Sequence, residues 1–290
     1  MTIPFPNIDP VAIHIYGPIA IRWYALAYIA GVLVGWWFAL TMLRQKSLWT
    51  NPPFRGKPPA TEEEIGDLVV WATLGVILGG RIGWDLFYGV LLCSQSADSA
   101  YCHGLPMEFL TNPIRLIAAW DGGMSFHGGA IGVVLAIWLF CRRRGLSFFM
   151  IGDLVCLVQP IGQFFGRIAN FVNGELWGKP ADVPWAMIFP RAPDRLPRHP
   201  SQLYEAALEG ILLFVVLQTC LRVFRLHERP GLISAIFLAS YGLLRFVVEF
   251  FREPDTRFIG WFSMGQALSV ALLVAGGYLA FVVLSKPKAA

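Results

Sequence analysis

Seven runs of about 20 mostly apolar residues recur along this chain, and each is long enough to cross a bilayer as a helix, because a rise of about 1.5 Å per residue spans roughly 30 Å of hydrocarbon. The runs are Ile19–Leu43, Ile65–Leu92, Gly123–Cys141, Phe148–Phe171, Ser201–Leu221, Gly231–Phe251 and Met264–Leu284. They are continuously apolar rather than alternating, which excludes an outer-membrane barrel, and lipid tolerates no unpaired backbone otherwise. Hydrophobic residues make up 56% of the 290 and charged residues 14%, against roughly half and a quarter in soluble domains. A soluble globule is excluded. The chain has no glycine period, no polar tract and no basic stripe interleaved with aromatics, so collagen-like, disordered and nucleic-acid-binding classes fall away. Its five cysteines contain no CxxC pair and are too few for a disulfide scaffold. The expected fold is all-α, a polytopic integral membrane protein with about seven transmembrane helices in one domain over residues 1–290.

Charge sets the expected orientation. Met1–Ile21 contains no Lys or Arg and several prolines, unlike a cleavable signal peptide, so residues 1–18 are expected to form an ordered arm. Basic residues follow the first run (Arg44, Lys46, Arg55, Lys57), the third (Arg142, Arg143, Arg144), the fifth (Arg222, Arg225, Arg229) and the seventh (Lys286, Lys288). The positive-inside bias makes these ends cytoplasmic, with the N-terminus periplasmic and residues 93–122 and 174–200 as periplasmic loops. Cys93 and Cys102 share the first loop, where either a disulfide or two unpaired thiols fits. Cys141, Cys156 and Cys220 suit plain packing.

An ionisable residue within a span is paired, faces water, or is functional. In this orientation Arg81, Arg167 and Arg245 lie about 20 Å or more along outward-running spans, while Arg22, Tyr24, His127 and Glu205 open inward-running ones. Polar groups thus gather toward the outer leaflet. Arg81 and Asp85 are spaced i,i+4 and can neutralise each other. Arg245 and Glu249 have the same spacing, within a longer stripe that includes Tyr241 and Arg252. Arg22 can snorkel at its span edge. Arg167 has Gln163, Phe164, Asn170 and Phe171 one turn away, so its own helix offers no carboxylate and something elsewhere must meet its charge.

His127 lies in the glycine-rich stretch Trp120–Gly129 and suits either satisfied packing or function. It has no partner histidine within a span for haem, and Ser125, two residues away, points to another helix face, so a Ser/His nucleophile pair is unsupported. Arg167 and Asn170 share a face just before Asn173 and a run of glycines, which fits either a phosphate site or an asparagine-rich cap. Ser201 can cap the fifth span, with His199 at the surface.

Taken together, Trp120–Gly129, Gly166–Gly178, Arg198–Glu205 and Tyr241–Arg252 resemble, in the same order and over nearly the whole chain, the bacterial prolipoprotein diacylglyceryl transferases. The resemblance implies an inner-membrane enzyme that moves the diacylglyceryl group of phosphatidylglycerol to the lipobox cysteine of a prolipoprotein, forming a thioether and releasing glycerol phosphate. It implies His127, Tyr241 and Arg245 as catalytic residues. Arg167, Asn170, Tyr24, Glu175, Gly178 and Glu249 would then bind phosphatidylglycerol. The implied partners are that lipid, the prolipoprotein signal peptide and the bilayer, with no nucleic acid, metal or organic cofactor. Two departures are visible: Ala169 stands where the signature has glycine, and Cys93–Gly104 is an insertion. The rival reading is a transporter for an anionic solute or lipid, which would need polar groups continuing to the cytoplasmic side and an internal repeat. A third is a membrane subunit without chemistry, which leaves Arg167 unexplained.

Overall fold

The computed structural model describes residues 3–6, 8–16, 19–86, 123–253, 257–259 and 262–287. Cys93, Cys102, the 93–104 insertion, the rest of the 93–122 loop and Lys288 lie outside the described residues. The helices are α1 (Trp23–Arg44), α2 (Glu62–Trp84), α3 (Phe126–Arg144), α4 (Phe148–Val172), α5 (Ser201–Arg222), α6 (Leu232–Val248) and α7 (Met264–Leu284). Among the described residues there are also three two-stranded antiparallel ladders: β1 (Val11–Tyr16) with β2 (Ile19–Arg22), β3 (Met187–Ile188) with β4 (Pro197–Arg198), and β5 (Arg257–Ile259) with β6 (Phe262–Ser263). Among the described residues six of these helices, all but α6, are long and apolar enough to cross a membrane; α6 is apolar but shorter. The protein is therefore mostly helical and membrane-integral.

One boundary differs from the sequence expectation. Ile19–Arg22 forms a strand paired to Val11–Tyr16, with Val11 opposite Arg22, and α1 starts only at Trp23. The residues Val11, Ile13, Ile15, Ile19 and Ile21 are β-branched and suit a pleated ladder. Apolar content alone does not distinguish such a strand from the start of a span.

The chain divides into two compact units, Ala60–Ile151 and Met1–Pro59 with Gly152–Ala290. In the first, Thr61 and Glu64 form a reciprocal capping box at the start of α2, whose first turn carries Glu62, Glu63 and Glu64 against the positive end of the helix dipole. Gly75, Gly79 and Gly83 then line one face of α2 and meet Gly128 and Gly132 of α3. A Cβ on Gly83 would lie 2.6 Å from the Gly128 Cα, and one on Gly75 2.7 Å from the Ala136 Cβ. Helices in lipid gain contact by such close approach of small residues. At the other end of α3 the guanidinium of Arg142 lies 5.3 Å from the Trp138 ring and that of Arg143 5.1 Å from the Trp71 ring.

In the second unit, α6 begins at Gly231, which offers no side chain to cap it. Asp153 of α4 performs that task from another helix. Its carboxylate accepts from the Gly231 and Ser234 backbone N–H groups at 2.8 and 2.7 Å and from the Ser234 hydroxyl at 2.6 Å, satisfying donors that hydrocarbon would leave orphaned. Along α6, Gly276 of α7 lets the two backbones touch, since a Cβ there would be 2.6 Å from the Ala239 nitrogen. Ser263 and Gln266 form a second capping box at the start of α7. These contacts fix the position of α6, which carries Tyr241 and Arg245 and is followed at its C-cap by Glu249.

Candidate active site

Within this second unit α5 is not uniform. Ser201–Glu205 is α-helical, Ala206–Leu212 is a π-turn, and the α-helix resumes at Leu213. π-Turns inside α-helices concentrate at functional sites because they re-aim side chains. This one carries Glu209 one wide turn beyond Glu205, and Gly210 sits against α4, where a Cβ would be 2.8 Å from that of Phe164. Both carboxylates are fully buried and both reach guanidiniums.

Arg167 of α4 places Nη2 2.7 Å from Glu205 Oε2 and 3.6 Å from Glu209 Oε2. Arg245 of α6 brings Nη1 to the same Glu205 oxygen at 3.0 Å and to Glu209 Oε1 at 3.7 Å, while its Nη2 is 3.0 Å from Glu249 Oε2. Arg252 adds Nη1 at 3.8 Å from Glu205 Oε1. The Gln163 carboxamide donates to Glu209 Oε2 at 2.6 Å, and the Ser263 hydroxyl to Glu249 Oε1 at 3.0 Å. Three arginines and three glutamates thus alternate with formal charges that cancel, the condition under which ions survive in low dielectric. The Arg167 and Arg245 side chains keep 17% and 15% exposure, so a ligand can reach them.

A second branch leaves Arg167 on its other side. Its Nη1 donates to Asn170 Oδ1 at 3.5 Å; the Asn170 carboxamide donates to Glu175 Oε1 at 2.9 Å, and that of Asn173 to the same oxygen at 3.3 Å. The chain can double back here because Gly174 adopts a left-handed φ of +63°, which glycine takes without a Cβ clash. Gln202 donates to the Glu175 carbonyl at 2.5 Å and Ser201 to the Leu176 carbonyl at 2.9 Å. Ser201 therefore does not cap α5 as expected; its hydroxyl is turned to the loop, and Pro200 occupies the cap position without a side-chain bond.

Guanidiniums from two helices, partly open and backed by carboxamides, present donors of the kind that suit a phosphate group. The family model for prolipoprotein diacylglyceryl transferase matches residues 10–282 of this chain. The chain belongs to that family. It is similar to proteins named phosphatidylglycerol–prolipoprotein diacylglyceryl transferase in Rhodospirillum rubrum, 50% identical with 99% of this chain and 96% of the relative covered, and in Azospirillum brasilense, 49% identical over 100% and 99%. The Allorhizobium ampelinum protein of the same name is 49% identical, with 94% and 89% covered.

The remaining residues that the diacylglyceryl transferase resemblance singles out fall in three places. Tyr241 is one turn before Arg245, its ring stacked on Phe237 with centroids 5.9 Å apart, within electrostatic reach of Glu209, Arg245 and Arg167. Tyr24, at the start of α1, shares a hydrogen bond with the Tyr28 hydroxyl at 3.0 Å and is within electrostatic reach of Glu175 and Arg167. Gly178 is a point of close backbone approach: its N–H donates to the His199 carbonyl at 2.9 Å, and a Cβ would lie 2.5 Å from the Phe251 carbonyl oxygen. Beside it Arg198 donates to Asp194, Glu253 and the Gly178 carbonyl. The hydrogen bond from Arg198 holds the Asp194 carboxyl below its usual value. His199 is half-buried rather than at the surface, with Nδ1 3.0 Å from the Tyr204 hydroxyl, and burial lowers its pKa.

His127 belongs to the first unit. It occupies the first turn of α3, exposed, after Ser125, whose hydroxyl caps the helix by accepting from the Gly128 N–H at 3.2 Å. In the same unit Arg81 lies 3.4 Å from Asp85, the expected i,i+4 pair. The sequence does not single out the carboxylate partners of Arg167, Glu205 and Glu209, or Gln163, which donates to Glu209; Glu205 figures in it only as opening a span and ending the Arg198–Glu205 stretch. The spacing held a signal, since Glu205 and Glu209 share one face of an otherwise apolar run, and Gln163 and Arg167 share another.

Proposed function

We propose that this chain transfers the diacylglyceryl group of phosphatidylglycerol to the lipobox cysteine of a prolipoprotein. The observation that carries the reading is the pair of guanidiniums, Arg167 and Arg245, held on one buried carboxylate oxygen in a chain of this family. The names of its relatives state both substrates, and none of them supports the transporter alternative. The enzyme works in the bacterial inner membrane as one domain of seven spans, α6 being the short one, with N-terminus and active site periplasmic and C-terminus cytoplasmic.

The cysteine sulfur attacks the glyceryl carbon that bears the phosphate. A C–S bond forms, the C–O bond to phosphate breaks, and glycerol phosphate departs with the bonding pair. Charge grows on the departing phosphate, so fixed guanidinium donors stabilise the transition state more than the ground state. Arg167 binds the lipid phosphate, with Asn170, Glu175, Tyr24, Gly178 and Glu249 shaping the lipid site. Arg245 and Tyr241 act at the reacting centre. His127 takes the thiol proton, its unperturbed pKa lying near neutrality.

The test is direct. Purified protein in detergent is incubated with phosphatidylglycerol and a lipobox peptide, and the peptide is weighed by mass spectrometry. A diacylglyceryl increment on cysteine is expected; a folded protein that adds none refutes the proposal.

A further inference from the structure

Glu205 occupies an unusual position for a carboxylate in a phosphate site. Its Oε2 receives Arg167 at 2.7 Å and Arg245 at 3.0 Å, while its Oε1 has no hydrogen bond among the described residues and lies 3.8 Å from Arg252. The other two carboxylates are placed differently. Glu209 stands back at 3.6 and 3.7 Å and is tied to Gln163. Glu249 meets Arg245 but not Arg167 and is tied to Ser263. Among the described residues, only the side chain of Glu205 engages both guanidiniums at hydrogen-bond distance. Nε of Arg167, by contrast, is buried without a hydrogen-bond partner among the described residues, so this guanidinium retains a donor for a ligand.

A phosphate that bridges the two guanidiniums through Arg167 Nη2 and Arg245 Nη1 shares or displaces N–H groups already bonded to Glu205. The apparent affinity for it is reduced to the fraction of molecules in which those donors are free. The reaction makes this consequential. A phosphodiester lipid carries one negative charge, whereas a released phosphate monoester carries between one and two near neutral pH. Without opposition, two arginines in low dielectric would hold the product more tightly than the substrate and slow its release.

We infer that Glu205 is a positioning residue that competes with phosphate for Arg167 and Arg245, aligning both guanidiniums for the lipid and reclaiming their N–H groups as the phosphate monoester leaves. The inference rests on the phosphate-binding reading of Arg167 above. It assigns Glu205 to turnover through the arginines, with no contact to the reacting atoms.

The test uses Glu205→Gln, which keeps the side-chain shape and removes the charge, and Glu205→Asp, which keeps the charge and withdraws it by one methylene. Glycerol phosphate is titrated calorimetrically into purified full-length wild type and variants, and each is also assayed with phosphatidylglycerol and the lipobox peptide. Glycerol phosphate is expected to bind about tenfold more tightly to Glu205→Gln than to wild type, and severalfold more tightly to Glu205→Asp, since loss of the competitor raises the free fraction of donors. The KM for phosphatidylglycerol and kcat should fall together in Glu205→Gln, because the lipid binds better and the product leaves more slowly. Should Glu205→Gln not fold, the Asp variant decides. Unchanged or weaker glycerol phosphate binding in a folded variant overturns the inference, as does a fall in kcat with a rise in KM. The binding arm keeps the two readings apart: a wild type that binds glycerol phosphate yet transfers nothing to peptide refutes the transferase proposal, whereas normal transfer without tighter binding in the variants refutes this inference alone.

Discussion

Arg167 and Arg245, on different helices, converge on a single oxygen of Glu205 at 2.7 and 3.0 Å. Neither arginine could lie in an apolar span alone, because an unpaired buried charge costs several kcal/mol. Joined through the fully buried Glu205, and with Glu209, Glu249 and Arg252 beside them, they belong to a cluster whose formal charges cancel and which still offers donors.

Arg167→Ala should reduce transfer by about a hundredfold or more, because a charge-assisted donor to the departing phosphate is lost. Arg167→Lys should recover little of it, since an ammonium cannot reproduce the planar fork that reaches Glu205 and Asn170 together. Initial rates of peptide modification, with circular dichroism as a folding control, measure both; full activity in the alanine variant would exclude the phosphate role.

His127→Gln tests proton transfer separately. Removing a general base typically costs a factor of about 100 to 10,000, and the loss should shrink at high pH, where the cysteine substrate ionises without help. Near-normal turnover at neutral pH in this variant would dispose of His127 as the base.

Asp153 caps α6 from α4 through three hydrogen bonds. Asp153→Ala leaves buried backbone donors unsatisfied and should cost roughly 2 kcal/mol or more, read as a lower thermal midpoint in detergent. Activity should fall as well, because the same helix carries Arg245. An unchanged midpoint would show that the cap is dispensable.

Gly83→Ala places a methyl 2.6 Å from the Gly128 Cα and should destabilise the α2–α3 pair by roughly 1–3 kcal/mol. Gly277→Ala is the control: nothing lies within 4 Å of its Cβ position, so it should be neutral or gain up to about 1 kcal/mol of helix propensity. Equal midpoints for the two variants would contradict the close-packed reading.

Asp194, held below its usual pKa by Arg198, gives the stability a pH dependence of definite sign. A carboxyl with a lowered folded-state pKa contributes fully above its unfolded value, near 4, and loses that contribution as pH falls through the folded value. Wild type should therefore lose more thermal stability than Asp194→Asn between pH 7 and pH 3. An identical acid response in the two proteins would remove Asp194 from the account.

Several features were legible because they depend on local composition. The spans at 148–172 and 264–284 could be read from their predominantly apolar composition, and the Arg81–Asp85 and Arg245–Glu249 pairs from i,i+4 spacing. The start of the first span could not, since the apolar residues of Ile19–Arg22 suit a strand and a span edge equally, and pairing to Val11–Tyr16 decided it. Ser201 departs from the cap expectation for a related reason: a hydroxyl at a helix start can serve the helix or a neighbouring loop, and the Leu176 carbonyl that it meets is 25 residues away in the chain.

The sequence alone determined that this chain lives in lipid, because hydropathy and helix rise are local quantities, and that Arg167 needed a partner from elsewhere, because its own helix has none within a turn. It could not say which partner. Glu205, Glu209 and Glu249 were all available, and the selection depends on helix packing: the π-turn in α5, the approach of Gly210 to Phe164, and the Asp153 cap that fixes α6. Ion pairing acts over a few ångströms between residues far apart in the chain, so only the tertiary structure could place two arginines on one carboxylate oxygen.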